Sequence, residues 1–168
     1  IMIGTFTDTS KFGDLIVLAT NGEATEEAIK LADIPNFRNK VVIDTTNPIA
    51  KTAPVNGVLQ FFTGPNESLM ERIQQLLPEA KVVKAFNCVG NAYMYKPSFP
   101  GGTPTMFIAG NDEEAKKTVT DILTVFGWET EDMGKAEAAR AIEPLCVLWC
   151  IPGFIRNKWN HAFKLLKA

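Results

Sequence analysis

The chain has 168 residues, of which 46% are hydrophobic and 21% are charged, and its formal net charge is −2. These values are typical of one soluble globular domain that buries a substantial core. The charged residues form no basic stripe or arm, so we expect no nucleic-acid partner. The longest apolar stretch, Leu145–Ile155, is interrupted by Pro152 and Gly153. Because it is shorter than a bilayer-spanning helix, we expect no membrane partner either.

The three cysteines predict neither a disulfide framework nor a metal site. Cys146 and Cys150 lie four residues apart, Cys88 follows a predicted strand, and no CxxC spacing or cluster of histidines accompanies them. We expect buried free thiols in a reducing cytoplasm. No basic start precedes a long apolar run, so no signal peptide is predicted. A minor functional role stays open for Cys88.

Three apolar segments, each followed by a short polar loop, predict buried strands. They share runs of Leu, Ile, Val and Ala with little alternation, which is typical of parallel strands covered on both faces. The segments are 14–20, 40–46 and 81–86. In parallel sheets, ligands bind outside the carboxyl ends of the strands. The loops after these segments are therefore the predicted binding edge.

The rest of the chain predicts further helices and strands in alternation. Apolar residues at helical spacing predict helices over 23–31, 67–77, 113–126, 135–150 (broken near Pro144) and 158–167, and strands are predicted over 105–109 and 128–133. Two segments, 47–66 and 91–103, are long and irregular. Loops of this length in a compact domain more often have a function than serve only as connections. The pattern predicts an α/β fold: a Rossmann-like, doubly wound parallel sheet in a single domain, 1–168. Residues 135–168 form its predicted C-terminal helical extension.

A phosphate-binding loop is missing from the sequence. Rossmann domains open with a strand, a Gly-rich turn and a helix, but no GxGxxG and no Walker A motif occurs here. The first predicted strand is already reached at Asp14. Either the protein never had a phosphate loop, or its first βαβ unit, roughly 40 residues with its linker, is absent through N-terminal truncation, and we favour the truncation. Residues Ile1–Thr5 are a candidate remnant of a preceding strand.

Five segments, taken together and in order, carry a resemblance to a known family. They are Val41–Pro48, Val82–Asn87, Thr105–Asp112, Met133–Leu148 and Asn160–Leu166. From about Thr5 to the end, the chain resembles the NADP oxidoreductase family named for its coenzyme F420-dependent members. The ferric-reductase cytoplasmic domains of some membrane proteins are similar and also carry a Lys-Ala-Phe-Asn segment.

This resemblance implies an NAD(P)-binding enzyme that transfers hydride between NADP(H) and a second small-molecule acceptor. The acceptor is a deazaflavin, coenzyme F420, in the namesake members and a flavin or another acceptor in relatives. Since the phosphate loop is missing, an alternative stays open: a non-catalytic nucleotide-binding or interaction domain.

The resemblance and the strand-end rule together predict the site residues. The cofactor-binding candidates all lie at the three strand ends: Thr20, Asn21, Asn47, Pro48, Ala85, Phe86 and Asn87. An Asn amide both donates and accepts hydrogen bonds, so Asn47 and Asn87 suit a nicotinamide carboxamide. Asn87 is the candidate catalytic residue, because it lies at a strand end and is not part of the apolar pattern that forms the core. The simpler alternatives are a turn cap for Asn21 and a core position for Phe86.

The C-terminal region offers aromatic residues and the chain's single histidine. His161 lies between Trp159 and Phe163, where a packing role is the simpler interpretation than catalysis. The region Pro144–Ile155 has more apolar surface than the rest of a small domain is able to bury. It therefore predicts a homodimer formed through the C-terminal helices.

Overall fold

A computed structural model describes all 168 residues and places five strands in one sheet, in the order β1-β2-β3-β4-β5. The strands are β1 Leu15–Leu18, β2 Val41–Asp44, β3 Lys81–Lys84, β4 Thr105–Gly110 and β5 Glu129–Asp132. The helices are α1 Phe6–Phe12, α2 Thr25–Leu31, α3 Leu69–Leu76, α4 Glu113–Val125, α5 Ala139–Ile142 and α6 Pro144–Arg156. The predicted α/β, Rossmann-like fold class is confirmed.

Helices cover the central strands on both faces. Val42 and Val82 pack into a core cluster with residues of α2 and α3. The next residues along the same strands, Ile43 and Val83, pack on the opposite face against α4. Because successive strand residues point to opposite faces, both must be apolar in a doubly covered sheet. The prediction of strands buried on both faces is confirmed for β2 and β3.

The direction of β4 differs from the predicted all-parallel sheet. Strands β1, β2 and β3 are parallel neighbours, and so are β4 and β5, but β4 runs antiparallel to β3 through the pairs Val83–Gly110 and Lys84–Ala109. The connections within each parallel set contain a helix. Between β3 and β4 the chain forms only a short 3-10 turn, Asn91–Tyr93. Without a helical crossover, the chain returns in the opposite direction.

The C-terminal extension is helical only as far as Arg156. Helices α5 and α6 meet at Glu143, which confirms the predicted break near Pro144. The predicted helix over 158–167 is wrong. Asn157 ends α6 in a left-handed conformation with φ of 51°. The chain then runs without a helix beside the start of β4, where the Phe163 carbonyl accepts the N–H of Thr105 at 2.9 Å.

The N-terminal segment also differs from its prediction. Ile1–Thr5 forms no strand and is exposed, so the strand-remnant interpretation is wrong. Thr5 instead caps α1: its hydroxyl accepts the N–H of Asp8, and the Asp8 carboxylate accepts the N–H of Thr5. This reciprocal cap explains why the chain turns helical at Phe6.

One helical stretch, Ala136–Arg156, is long and apolar enough to cross a membrane when judged by length and composition alone. The sequence interpretation considered only Leu145–Ile155, whereas the helical stretch has 21 residues. One third of its most apolar window is buried inside the protein. Glu143, near its middle, is 1% exposed. The inner face of this stretch is therefore part of the domain's core.

Candidate functional site

The ends of β1, β2 and β3 converge on one rim of the sheet. Because the strands are parallel, with Asp44 opposite Lys84, the residues three positions further on also become neighbours. The Asn87 Nδ2 donates to the Asn47 Oδ1 at 2.6 Å. Gly22, beyond β1, packs so closely against the Asn47 carbonyl that a Cβ there would overlap the oxygen. The three predicted strand ends are thus brought together.

The buried amide of Asn87 has a defined orientation and one unpaired atom. Asn87 is 3% exposed, and its Nδ2 also donates to the Thr46 carbonyl at 2.9 Å. Since a carbonyl oxygen only accepts, this contact fixes which end of the amide is nitrogen. The Asn87 Oδ1 is buried without a partner in the protein. Asn87 therefore has an unused acceptor, enclosed by the protein, beside the half-buried amide of Asn47.

A fully buried lysine lies directly behind this amide pair. The Lys84 Nζ donates to the Asp44 Oδ2 at 2.7 Å, the Thr46 carbonyl at 2.7 Å and the Glu143 Oε1 at 2.9 Å. These three contacts use all three ammonium protons. The Asp44 Oδ1 in turn accepts the N–H and the hydroxyl of Thr46 at 2.9 and 2.6 Å. The sequence analysis missed this network, although a lysine inside an apolar strand was a signal that it needed a buried partner.

Glu143 ties the C-terminal helices to the same rim. Its Oε2 accepts the N–H of Leu69 and its Oε1 the N–H of Met70, both at 3.0 Å. These N–H groups belong to the first turn of α3, where a carboxylate is favoured by the unpaired amides and the helix dipole. Glu143 therefore holds three elements together: α3, the end of β3 and the start of α6.

The residues just before Asn87 shape the turn that presents it. Ala85 is fully buried, and Phe86 is 7% exposed, which confirms the core interpretation of Phe86. Phe86 has a positive φ of 65°, a left-handed conformation that is costly for a bulky residue and is often kept at functional sites. Its N–H lies 3.1 Å from the Met106 sulfur. This strained turn places Asn87 against the loop that follows β2.

Pro48 fixes the start of the loop after β2. It is buried, and its carbonyl accepts the N–H of Phe62 at 2.9 Å, which closes the far end of the loop back onto the rim. The Asn47 carbonyl accepts the N–H of Ile49 at 2.8 Å, so the backbone turns tightly around the proline. The predicted role of Pro48 in fixing the backbone at Asn47 agrees with this geometry.

The side chains after β1 are engaged in their own turn. The Asn21 Oδ1 accepts the N–H of Glu23 at 3.1 Å, which is the capping interaction expected in the simpler interpretation. The Thr20 and Thr25 hydroxyls lie 2.9 Å apart. Neither contact excludes a ligand from the exposed side of Asn21. A cofactor role for Thr20 and Asn21 stays a prediction.

A cavity of about 340 Å³ lies elsewhere, along β1. It is mostly apolar and lies between α1, α2 and β1, with Val17 and Phe37 among its lining residues. The cavity reaches Thr20 but touches neither Asn47 nor Asn87. It follows the side of β1 that has no neighbouring strand. The paired amides therefore define the candidate site better than the cavity does.

An open aromatic groove begins three residues beyond Asn87. It is lined by Gly90, Asn91, Ala92, Tyr93, Trp149, Asn157, Trp159 and Asn160. A Cβ on Gly90 would come within 2.6 Å of the Trp149 ring, so only glycine lets this ring pack against the backbone. His161 stacks on Trp149 with ring centroids 5.1 Å apart, and its Nε2 lies 3.0 Å from the Trp149 carbonyl. The packing interpretation of His161 is confirmed.

The remaining candidate groups have little reactivity at this rim. Burial raises the pKa of the Cys88 thiol to about 11, so it stays protonated near neutral pH and is a poor nucleophile. All three cysteines are free. No group of three or more His, Cys, Asp or Glu side chains is placed to hold a metal ion. Cys88 therefore supplies no reactive thiolate at the rim.

No protein-family model matches the chain, but individual relatives do. It is 33% identical over 142 residues to the F420-dependent NADP reductase of Methanocaldococcus jannaschii, which covers 84% of this chain. A solved structure from Arthrobacter sp. FB24, assigned provisionally as an F420-dependent NADP reductase, superposes with a TM-score of 0.90 at 30% identity. That match covers 96% of this chain and 73% of the other. The chain belongs to the F420-dependent NADP reductase family.

Membership of the F420-dependent NADP reductase family confirms the resemblance seen in the sequence. The chain is also 31% identical to the metalloreductase STEAP3 of Rattus norvegicus over 143 residues. It spans 62% of the length of the M. jannaschii reductase and 27% of the rat protein. Because the chain spans less than two thirds of either relative, its activity is a proposal.

Proposed function

We propose that this chain forms the nicotinamide-binding half of an NADPH-dependent oxidoreductase, which passes hydride between NADP(H) and a flavin or deazaflavin acceptor such as coenzyme F420. The observation that carries the proposal is the amide pair: Asn47 and Asn87 meet at the rim where β1, β2 and β3 end, and the Asn87 Oδ1 is buried without a partner. The names of the relatives support NADP as the cofactor and F420 as the acceptor.

The amide pair fits a primary carboxamide. The NH₂ group of a nicotinamide carboxamide donates, and the Asn87 Oδ1 is an unused acceptor. The Asn47 Nδ2 makes no hydrogen bond within the protein and suits the carboxamide oxygen, since Asn47 accepts from Asn87 through its Oδ1. Leaving a buried acceptor unpaired costs about 1–3 kcal/mol, so pairing it favours the ligand. When bound, NADPH supplies the hydride, and the chain's part is to orient the nicotinamide ring.

The other strand-end residues are proposed to shape the cofactor site. Thr20 and Asn21 would line the nucleotide side of the rim, and Pro48, Ala85 and Phe86 would hold the two amides in place. The 168 residues contain no GxGxxG motif. The pyrophosphate and the 2′-phosphate are therefore assigned to no residue of this chain.

The aromatic groove beside Asn87 is the proposed acceptor site. Its lining combines aromatic residues, among them Tyr93 and Trp159, with the asparagines Asn91 and Asn160. Flat aromatic rings favour offset stacking on a flat ring system, and amides suit the carbonyl and N–H groups along one edge of a flavin or deazaflavin. The groove begins close in sequence to Asn87, so donor and acceptor rings would meet at one rim.

The experiment is a titration with NADPH and with reduced nicotinamide mononucleotide, which carries the nicotinamide half alone. We expect both to bind saturably, followed by dihydronicotinamide fluorescence, and we expect loss of dihydronicotinamide absorbance when FMN or F420 is added. Binding of neither probe would contradict the proposal. Binding without oxidation in the presence of both acceptors would instead favour a non-catalytic nucleotide-binding domain.

We further propose a cytoplasmic homodimer that associates through the C-terminal helices. Three large apolar side chains of α6 support it, because Leu148, Phe154 and Ile155 are 53%, 47% and 55% exposed. We expect light scattering to give twice the chain mass, and Leu148→Glu to give a monomer. Val125→Glu, at an exposed position of α4, is the matched control and should leave the dimer intact. A monomeric unmodified chain would contradict this proposal.

A further inference from the structure

We propose that Lys84 is a positioning residue that holds the amides of Asn87 and Asn47 in their binding orientation by acting through the Thr46 carbonyl. Only the identity of the ligand rests on the proposed function. The positioning itself is a property of the chain and is open to direct measurement.

The Thr46 carbonyl is the junction between the charged network and the amide pair. It accepts from the Lys84 Nζ at 2.7 Å and from the Asn87 Nδ2 at 2.9 Å. A carbonyl oxygen has two lone pairs, so these two donors saturate it. The other proton of the Asn87 Nδ2 goes to the Asn47 Oδ1. A shift of the Thr46 oxygen is therefore transmitted first to Asn87 and then to Asn47.

The Lys84 ammonium is itself fixed from three directions. Its side chain is fully buried, and its partners lie on β2, on the loop after β2 and at the start of α6: Asp44, Thr46 and Glu143. Charge-assisted hydrogen bonds of this kind are short and directional. Buried ion pairs often add little stability compared with apolar residues of similar volume. The buried Lys84 ammonium is therefore better explained by its role in holding the Thr46 carbonyl in place than by a gain in stability alone.

A second lysine provides a matched control. Lys116 on α4 is 5% exposed, and its Nζ pairs with Asp132 at 2.7 Å and with Glu113 at 3.0 Å. It also holds two carboxylates, but it contacts no part of the amide pair. It lies beside the end of β4, which runs antiparallel to β3, and so at the opposite rim of the sheet. Replacing either lysine with methionine removes the same charge.

The test observes the side-chain NH₂ signals of Asn87 and Asn47 by NMR in the ¹⁵N-labelled chain without ligand. Lys84→Met is expected to shift both signals and to speed hydrogen exchange of the Asn87 NH₂ about tenfold, the scale of one lost hydrogen bond. Lys116→Met should leave both signals in place. Unchanged Asn87 and Asn47 signals in folded Lys84→Met would overturn the proposal.

Lys84→Met leaves the Asp44 and Glu143 carboxylates without their cation and is therefore at risk of unfolding. A second variant keeps the test possible in that case. In Lys84→Met combined with Asp44→Asn, one of these charges is removed, while the amide oxygen of the introduced asparagine still accepts the N–H of Thr46. The same shift of the Asn87 signals is expected. If neither variant folds while Lys116→Met does, Lys84 serves stability and the positioning role is wrong.

Failure of the proposed function gives a different result. In that case the unmodified chain binds neither NADPH nor reduced nicotinamide mononucleotide, yet Lys84→Met still shifts the Asn87 and Asn47 signals. If the unmodified chain binds and transfers hydride, Lys84→Met should lower kcat about 10²-fold, the scale expected when a reacting ring is misplaced by about 1 Å. KM should change much less than kcat.

Discussion

Glu143→Ala is expected to lower the free energy of unfolding by about 3–5 kcal/mol, the range seen when one partner of a buried ion pair is removed. The substitution leaves the Lys84 ammonium with one carboxylate instead of two. It also leaves the N–H groups of Leu69 and Met70 without their acceptor at the start of α3. Glu143→Gln is not expected to restore this stability. Both Glu143 oxygens accept hydrogen bonds, so the NH₂ group of a glutamine would face a donor in either orientation. Urea unfolding followed by circular dichroism measures the loss.

The control is Glu137→Ala, an exposed carboxylate in the same helical stretch. Exposed substitutions usually stay within about 0.5 kcal/mol, so this variant should unfold almost like the unmodified chain. If Glu143→Ala cost no more than Glu137→Ala, the buried network would not hold α3 and α6 to the rim of the sheet.

Asn87→Ala is expected to reduce hydride transfer from NADPH to FMN or F420 about 10²-fold, because the ring loses the group that orients it. The variant deletes the unpaired acceptor and releases Asn47, while the Thr46 carbonyl keeps its bond to Lys84. The fold should therefore survive. The loss of dihydronicotinamide absorbance under single-turnover conditions measures the rate.

Asn66→Ala is the matched control for Asn87, since Asn66 is an exposed asparagine outside the rim. Its transfer rate and thermal unfolding midpoint should equal those of the unmodified chain. A rate for Asn87→Ala within about twofold of that control would remove Asn87 from the proposed site, because misplacing a reacting ring costs far more.

The sequence was sufficient to predict the strands and the edge on which the candidate site lies. Uninterrupted apolar runs identify strands covered on both faces, and parallel strands bring their following loops to one rim. Asn47 and Asn87 are therefore predicted to be neighbours from the sequence alone. Their direct contact depends on the register, in which Asp44 lies opposite Lys84. Local sequence does not encode that register, because many apolar residues would fit either alignment.

The errors arose where distant contacts override local pattern. Residues 158–167 carry apolar residues at helical spacing, yet the chain follows the start of β4 because Thr105 supplies hydrogen-bonding partners there. The contacts of Glu143 were not predicted, since its partner Lys84 lies far away in the chain. The direction of β4 was readable in principle, because no helical pattern occurs between β3 and β4.

The most direct test of the convergent rim is an NMR titration of the ¹⁵N-labelled chain with reduced nicotinamide mononucleotide. We expect the side-chain NH₂ signals of Asn47 and Asn87 to shift together, with nuclear Overhauser contacts to the carboxamide of the nicotinamide. Contacts confined to the cavity along β1, or binding that leaves both amide signals unchanged, would contradict the account.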